Sequence, residues 1–177
     1  KLTLGREGKD VPVEVTITRD IIRVPTIDTE LRPDGVFVIK FYQYSATSPG
    51  LFRDALREFI GANTDKLLID LRGNPGGYLD AAVDIASHFL ASGVTIVTED
   101  FGDKETNNVH TSLGYNDVPS GTKIVVLIDS GSASASEIFA GALQDNHMAT
   151  IIGTKSFGKG SVQTLITLDG GSLKVTV

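Results

Sequence analysis

Three serines at alternate positions, Ser132, Ser134 and Ser136, stand in Gly131-Ser-Ala-Ser-Ala-Ser-Glu137. They follow an apolar run and open a helical pattern. A hydroxyl in that place can do either of two jobs. Ser134-Ala-Ser-Glu137 fits the Ser-x-x-Glu box that caps a helix N-terminus. The same place suits a nucleophile, because the orphan amides and the dipole of a helix start favour a developing oxyanion. The readings are compatible, since only one of the three serines is needed as a cap. A Gly-x-Ser-x-Gly elbow is absent, because both second neighbours of Ser134 are serines.

A serine nucleophile needs a base. Lys159 lies between two glycines in Ser156-Phe-Gly-Lys-Gly-Ser161, where glycine allows close backbone approach. A lysine works as a base only as the free amine. An unperturbed lysine titrates near about 10.4, and burial disfavours the ammonium form. Serine–lysine pairs are an established variant of triad chemistry. Most lysines are solvated surface charges, and that reading stays open for this one. Gln163, four residues on, can orient the amine or be an ordinary polar strand residue.

Other chemistries fit less well. His88, His110 and His147 have no metal-ligand spacing. His88 falls beside the apolar face of a helical pattern, His110 in a polar stretch, and His147 past the far end of the helix that Ser134 opens. Gly153-Thr-Lys-Ser-Phe-Gly-Lys159 matches the first seven positions of a phosphate-binding loop. Gly160 then replaces the hydroxyl residue that would hold magnesium, and a strand pattern follows where a helix is required. Asp70-Leu-Arg-Gly-Asn-Pro-Gly-Gly77 closes an apolar run and opens a helix. It is either a structural turn or a place where a Gly76 or Gly77 amide joins the Ala135 amide in an oxyanion hole.

The elements around these residues follow from periodicity. Alternation over 1–24 predicts paired strands joined by a turn at 5–10. A strand is expected over 36–41 and a helix over 49–61, with Leu51, Phe52, Ala55, Leu56, Phe59 and Ile60 inward. Residues 67–71 read as a strand covered on both faces. The next helix carries Leu79, Ala82, Val83, Ala86, Phe89 and Leu90 on its buried side. Strands are expected at 94–97, 124–128, 149–152, 162–168 and 172–177, a helix over 134–145, and a polar loop or hairpin over 99–121. Strand, turn, helix, strand, repeated, predicts an α/β core with a mostly parallel sheet and flanking helices. Chemistry in such sheets gathers where strands end and helices begin. That places it at 70–78 and 128–137, with the Lys159 loop as a third edge.

The bulk composition narrows the partners. The chain has 177 residues, 41% hydrophobic and 21% charged, with a net charge of −6. That is ordinary for a globular domain, and without a basic patch nucleic acid is not an expected partner. The absence of cysteine excludes disulfides, thiolate metal sites and a cysteine nucleophile. No apolar run approaches the roughly 20 residues of a membrane-spanning helix. The chain begins Lys1-Leu-Thr-Leu4 and ends Leu173-Lys-Val-Thr-Val177 inside strand patterns. It reads as a piece of a longer protein.

Taken together, three motifs resemble the C-terminal processing peptidases, also called tail-specific proteases. They are Leu71-Arg-Gly-Asn-Pro-Gly-Gly77, Gly131-Ser-Ala-Ser-Ala-Ser-Glu-Ile138 with Ala140-Gly-Ala-Leu-Gln-Asp145, and Phe157-Gly-Lys-Gly160 with Val162-Gln163. Thr18-Arg-Asp-Ile-Ile22 and Asp169-Gly-Gly-Ser-Leu-Lys-Val-Thr176 also look like the family. The resemblance implies a crotonase-like core fold, with a short N-terminal β-hairpin here. It implies Ser134 as nucleophile, Lys159 as base, Gln163 as the residue orienting the base, and the Ala135 and Gly76 amides as oxyanion donors. It implies a serine endopeptidase that cleaves proteins near apolar C-termini through an acyl-enzyme, in the periplasm or at the outer face of a membrane, with no metal or organic cofactor. Membrane association and homo-oligomer formation of the longer enzyme are compatible with it. Residues 1–9 would be the closing strand of an inserted PDZ domain, and 10–177 the protease core. The rival expectation is an inactive core that serves as a peptide-binding scaffold.

Overall fold

The computed structural model describes residues 1–8, 11–18, 20, 25–102 and 106–176. In chain order the first elements are β1 (Leu2–Leu4), β2 (Val13–Val15), β3 (Ile27–Leu31), β4 (Phe37–Phe41), α1 (Ser48–Gly61), β5 (Lys66–Asp70) and α2 (Leu79–Ala86). Then come β6 (Thr95–Glu99), β7 (Asn108–Thr111), β8 (Lys123–Ile128), α3 (Ala135–Asp145), β9 (Thr150–Gly153), β10 (Gln163–Leu168) and β11 (Gly171–Thr176).

The apolar runs build the centre. A five-stranded sheet has the order β3-β4-β5-β8-β9. Its β4–β5, β5–β8 and β8–β9 pairs are parallel, and only the β3 edge is antiparallel. The core residues of the strands share one parity: Phe37, Ile39 and Phe41 on β4, Leu67 and Ile69 on β5, Ile124 and Val126 on β8. They pack with Phe52 and Phe59 of α1, Ile85 of α2, and Phe139 and Leu143 of α3. The three helices therefore stack on one face of the sheet. Rings knit that layer together, since Phe139 meets Phe52 at 6.2 Å and Phe89 at 5.5 Å between centroids. Such edge-to-face pairs add to simple burial.

Several expectations need correction. β5 alternates instead of being covered on both faces: Leu67 and Ile69 are buried, but Leu68 is only half-buried. One helical layer accounts for this. On α1, Leu51 and Ile60 are exposed, so the buried stripe is narrower than the apolar pattern. α2 stops at Ala86, where the Ser87 hydroxyl donates to Val83 O at 2.7 Å. Phe89 and Leu90 are still buried, but from the turn that follows. β3 has no counterpart in the sequence reading. Four of its five residues are exposed, so it carries no alternating pattern, and it is held by its ladder to β4.

The peripheral hairpins match the pattern in part: of the pairing expected over 1–24, β2 is limited to Val13–Val15, Val11 and Ile17 are exposed, and residues 9–10 of the expected turn and 19 and 21–24 lie outside those described. β1 pairs antiparallel with β2, β10 with β11, and β6 with β7, of which β7 lies inside the polar 99–121 stretch. Of Thr18-Arg-Asp-Ile-Ile22, three residues lie outside those described. His88 is buried and hydrogen-bonded through Nδ1 to Asp117 at 2.8 Å, a satisfied core histidine.

Candidate active site

Parallel pairing puts the C-terminal ends of β5, β8 and β9 on one edge of the sheet, and each leads into a turn. The first two turns are tied together directly. Leu71 N–H donates to Leu127 O at 2.9 Å, and Ala133 N–H to Asn74 O at 3.0 Å. Asp129 accepts the Gly73 amide at 2.8 Å and the Gly131 amide at 2.9 Å. Asn74 is fully buried between the turns. Its amide nitrogen donates to Phe41 O at 2.8 Å, which anchors the glycine turn to β4.

This packing gives the three serines different surroundings. Ser132 is buried; its hydroxyl donates to Leu71 O at 2.7 Å and accepts the Asp129 amide at 3.0 Å. Ser136 is buried and donates to Asn74 O at 3.1 Å. Ser134 alone of the three lines a cavity of about 760 Å³. Its backbone sits at φ 55° and ψ −116°, a left-handed conformation for a residue with a Cβ. Such a conformation costs about 1–3 kcal/mol and persists only when its surroundings impose it. A strand, a strained serine and a helix in succession make the elbow geometry that the missing Gly-x-Ser-x-Gly pattern had argued against.

Glycine makes this possible across the gap. A Cβ on Gly76, at φ 88°, would overlap Ala133 O and come within 2.8 Å of Ala135 N and 2.9 Å of Ser134 Cβ. A Cβ on Gly77 would overlap the Tyr44 carbonyl. The Gly76 amide, expected as an oxyanion donor, is committed elsewhere: it donates to Asn74 Oδ1 at 2.9 Å. Among the described residues, the Ala135 and Gly77 amides have no hydrogen-bond acceptor. Gly77, the other glycine of the turn, is thus the one with a donor to spare.

The third turn carries Lys159. Phe157 N–H donates to Ser132 O at 3.0 Å. Glu137, in the first turn of α3, holds the rest. It accepts the Ser134 amide at 2.7 Å, the Ser156 hydroxyl at 2.8 Å, the Gly158 amide at 2.7 Å and the Lys159 amide at 3.0 Å. The sequence showed Glu137 only as the acid of a capping box, and nothing in it announced the link to the lysine loop. Burial raises the pKa of this carboxyl, but the hydrogen bonds outweigh it and hold the group below its ordinary 4.5. The Gly73 amide, then the Gly131 amide, hold Asp129 below its ordinary 3.8.

Ser134, Lys159, Gln163 and Gly76 all line the same cavity. Ser134 Oγ and Lys159 Nζ are not hydrogen-bonded to each other, and Lys159 is half-buried. Gln163 makes its side-chain contact with Thr176 Oγ1 at 3.4 Å, not with the lysine. No histidine is among the lining residues. His110 is bonded at 2.7 Å to Glu99, which is a lining residue.

Two outcomes follow from this geometry. Ser134→Gly is expected to be more stable than Ser134→Ala by about 1 kcal/mol in urea unfolding, because only glycine relieves the backbone strain. Equal stability of the two variants would show that the turn is unstrained. For acid unfolding, both carboxyls have lowered folded-state values. Their contribution is whole above the ordinary 4.5 and 3.8 and is lost as pH falls through the lowered values. The urea midpoint is expected to drop over that acid range, with a shallower drop in Glu137→Gln. Parallel profiles would contradict it.

The chain matches peptidase family S41 over residues 35–177. It is similar to the carboxy-terminal-processing protease of Bartonella bacilliformis, with 41% identity over 99% of this chain and 41% of that protein. It is also similar to the carboxyl-terminal-processing protease of a Synechocystis species, with 39% identity over 96% of this chain and 40% of that protein. The chain thus spans about two fifths of the length of these curated relatives. Among solved structures, a photosystem II D1 C-terminal processing protease aligns with a TM-score of 0.74 and 28% identity, over 91% of this chain and 44% of that one. The chain belongs to peptidase family S41, the family of these carboxyl-terminal-processing proteases.

Proposed function

We propose that this chain carries the catalytic core of a serine endopeptidase that works with a Ser134–Lys159 dyad and cleaves proteins near apolar C-terminal tails. The observation that carries the reading is the selection among the three serines. Two are buried and committed to backbone carbonyls, while the strained one opens into the cavity that Lys159 also lines.

The steps are these. Lys159, as the free amine, takes the Ser134 hydroxyl proton while Oγ attacks the peptide carbonyl carbon. The carbonyl oxygen becomes an oxyanion and accepts hydrogen bonds from the Ala135 and Gly77 amides. The tetrahedral intermediate collapses, the C–N bond breaks, and the lysine ammonium returns its proton to the leaving amine. Lys159 then takes a proton from water, and the hydroxide attacks the acyl-enzyme. Collapse releases the new carboxylate and gives the proton back to Ser134. Serine and lysine begin without a mutual hydrogen bond, and substrate brings them into line, as catalytic contacts often tighten only in the complex. Gln163 swings from Thr176 to the amine in that aligned state. No metal or organic cofactor enters these steps. The longer enzyme, on this proposal, works in the periplasm or at the outer face of a membrane, with a PDZ domain that presents the substrate tail and with membrane association or homo-oligomers open to it; the family resemblance of the motifs supports this reading. No helix among the described residues is long and apolar enough to cross a membrane.

The test is hydrolysis of fluorogenic peptides with apolar C-termini. Wild type is expected to cleave them. Ser134→Ala and Lys159→Ala are each expected to lower kcat by about 10³-fold or more without changing the circular dichroism spectrum. Full activity in Lys159→Ala would sink the dyad. Peptide binding without any turnover by wild type would favour the scaffold.

A further inference from the structure

Four donors converge on one carboxylate, and they come from both halves of the proposed machinery. Glu137 Oε2 takes the amide of Ser134 at 2.7 Å and the amide of Lys159 at 3.0 Å. Oε1 takes the Gly158 amide at 2.7 Å and the Ser156 hydroxyl at 2.8 Å. One side chain thus bonds the backbone of nucleophile and base through a single oxygen atom. The loop that carries Lys159 has little else to hold it. Gly158 and Gly160 flank the lysine, both exposed, and Phe157 beside them is 68% exposed. Its other backbone tie to the nucleophile turn is Phe157 N–H to Ser132 O at 3.0 Å. A glycine-rich, exposed loop has no packing of its own to fix the position of a base.

We infer that Glu137 is a positioning residue for the reaction: its two oxygens together dock the Lys159 loop onto the nucleophile turn and set where the base sits relative to Ser134. The inference rests on the Ser134–Lys159 reading. The simpler role for Glu137 is to cap α3, since the Ser134–Glu137 capping box is present. The two roles differ in what they demand. A capping box accepts glutamine as readily as glutamate. Docking the loop takes two acceptor oxygens, and glutamine has one, with an NH2 in place of the other. In Glu137→Gln, that NH2 faces the Ser134 and Lys159 amides in one orientation and the Gly158 amide in the other, where the Ser156 hydroxyl can turn to accept, so at least one backbone donor of the site loses its acceptor either way. The lowered pKa of Glu137 agrees with an ionised acceptor serving four donors.

The experiment compares Glu137→Gln with wild type by two readouts. The first is hydrogen exchange at the Gly158 and Lys159 amides, with an Ala142 amide in α3 as the control for global opening. The second is the rate of covalent labelling by a fluorophosphonate. Exchange at Gly158 and Lys159 is expected to rise about tenfold or more in the variant, with the control unchanged, and labelling to slow by a similar factor. Ser156→Ala, which removes one donor and leaves the carboxylate, is expected to give a smaller rise at Gly158. It is the fallback if the glutamine variant does not fold. Unchanged exchange at Gly158 and Lys159 would overturn the docking. Faster exchange with unchanged labelling would overturn the positioning role. A wild type that takes no label would sink the Ser134–Lys159 reading instead, and the exchange comparison would still decide whether Glu137 docks the loop.

Discussion

The site depends on how closely two backbone turns approach each other. The glycine turn after β5 and the serine turn after β8 meet with Gly76 against Ser134 Cβ and the Ala135 amide. No side chain fits at Gly76, and the contact is therefore a steric requirement before it is a chemical one. Parallel β5–β8 pairing delivers the turns to the same edge. Asn74 then locks them, with its side chain on Phe41 O and the Gly76 amide and its carbonyl on the Ala133 amide and the Ser136 hydroxyl. The strain at Ser134 is maintained by this arrangement. A serine held at φ 55° on its own would relax into an allowed region.

Carboxylates serve in the site as backbone acceptors. Asp129 gathers the Gly73 and Gly131 amides, and Glu137 gathers those of Ser134, Gly158 and Lys159. Charge-assisted bonds to amides are stronger than neutral ones and fix loop backbones without long flexible partners. This suits turns made of glycine, alanine and serine, which have no large side chains with which to pack. The aromatic layer beneath α3 supplies the rigid base, since Phe139 lies one turn into the helix that Ser134 opens and is fully buried among Phe52 and Phe89.

Much of this was legible in the sequence, and the reasons for the rest are physical. The central strands and α3 follow from apolar runs and from turn residues that bound them. β3 was invisible because an exposed edge strand needs no apolar face. α2 was overrun by four residues because Phe89 and Leu90 are buried without being helical. At the site, the family likeness picked Ser134 from the row; that Ser132 and Ser136 are buried among backbone carbonyls is visible only in the structure. The commitment of the Gly76 amide was not legible, because whether a turn amide faces a side chain or a cavity depends on φ and ψ that several sequences share. The reach of Glu137 to the lysine loop was hidden for a related reason. Two of its three partners there are the Gly158 and Lys159 amides, about twenty residues away, and backbone amides leave no mark on residue type.

The most direct test is to map the adduct after incubation with a fluorophosphonate, by digestion and tandem mass spectrometry of the 131–145 segment. The account predicts a single phosphonyl group on Ser134, with Ser132 and Ser136 unmodified. An adduct on Ser132 or Ser136, or peptide hydrolysis that continues while Ser134 stays unmodified by a saturating probe, would contradict it.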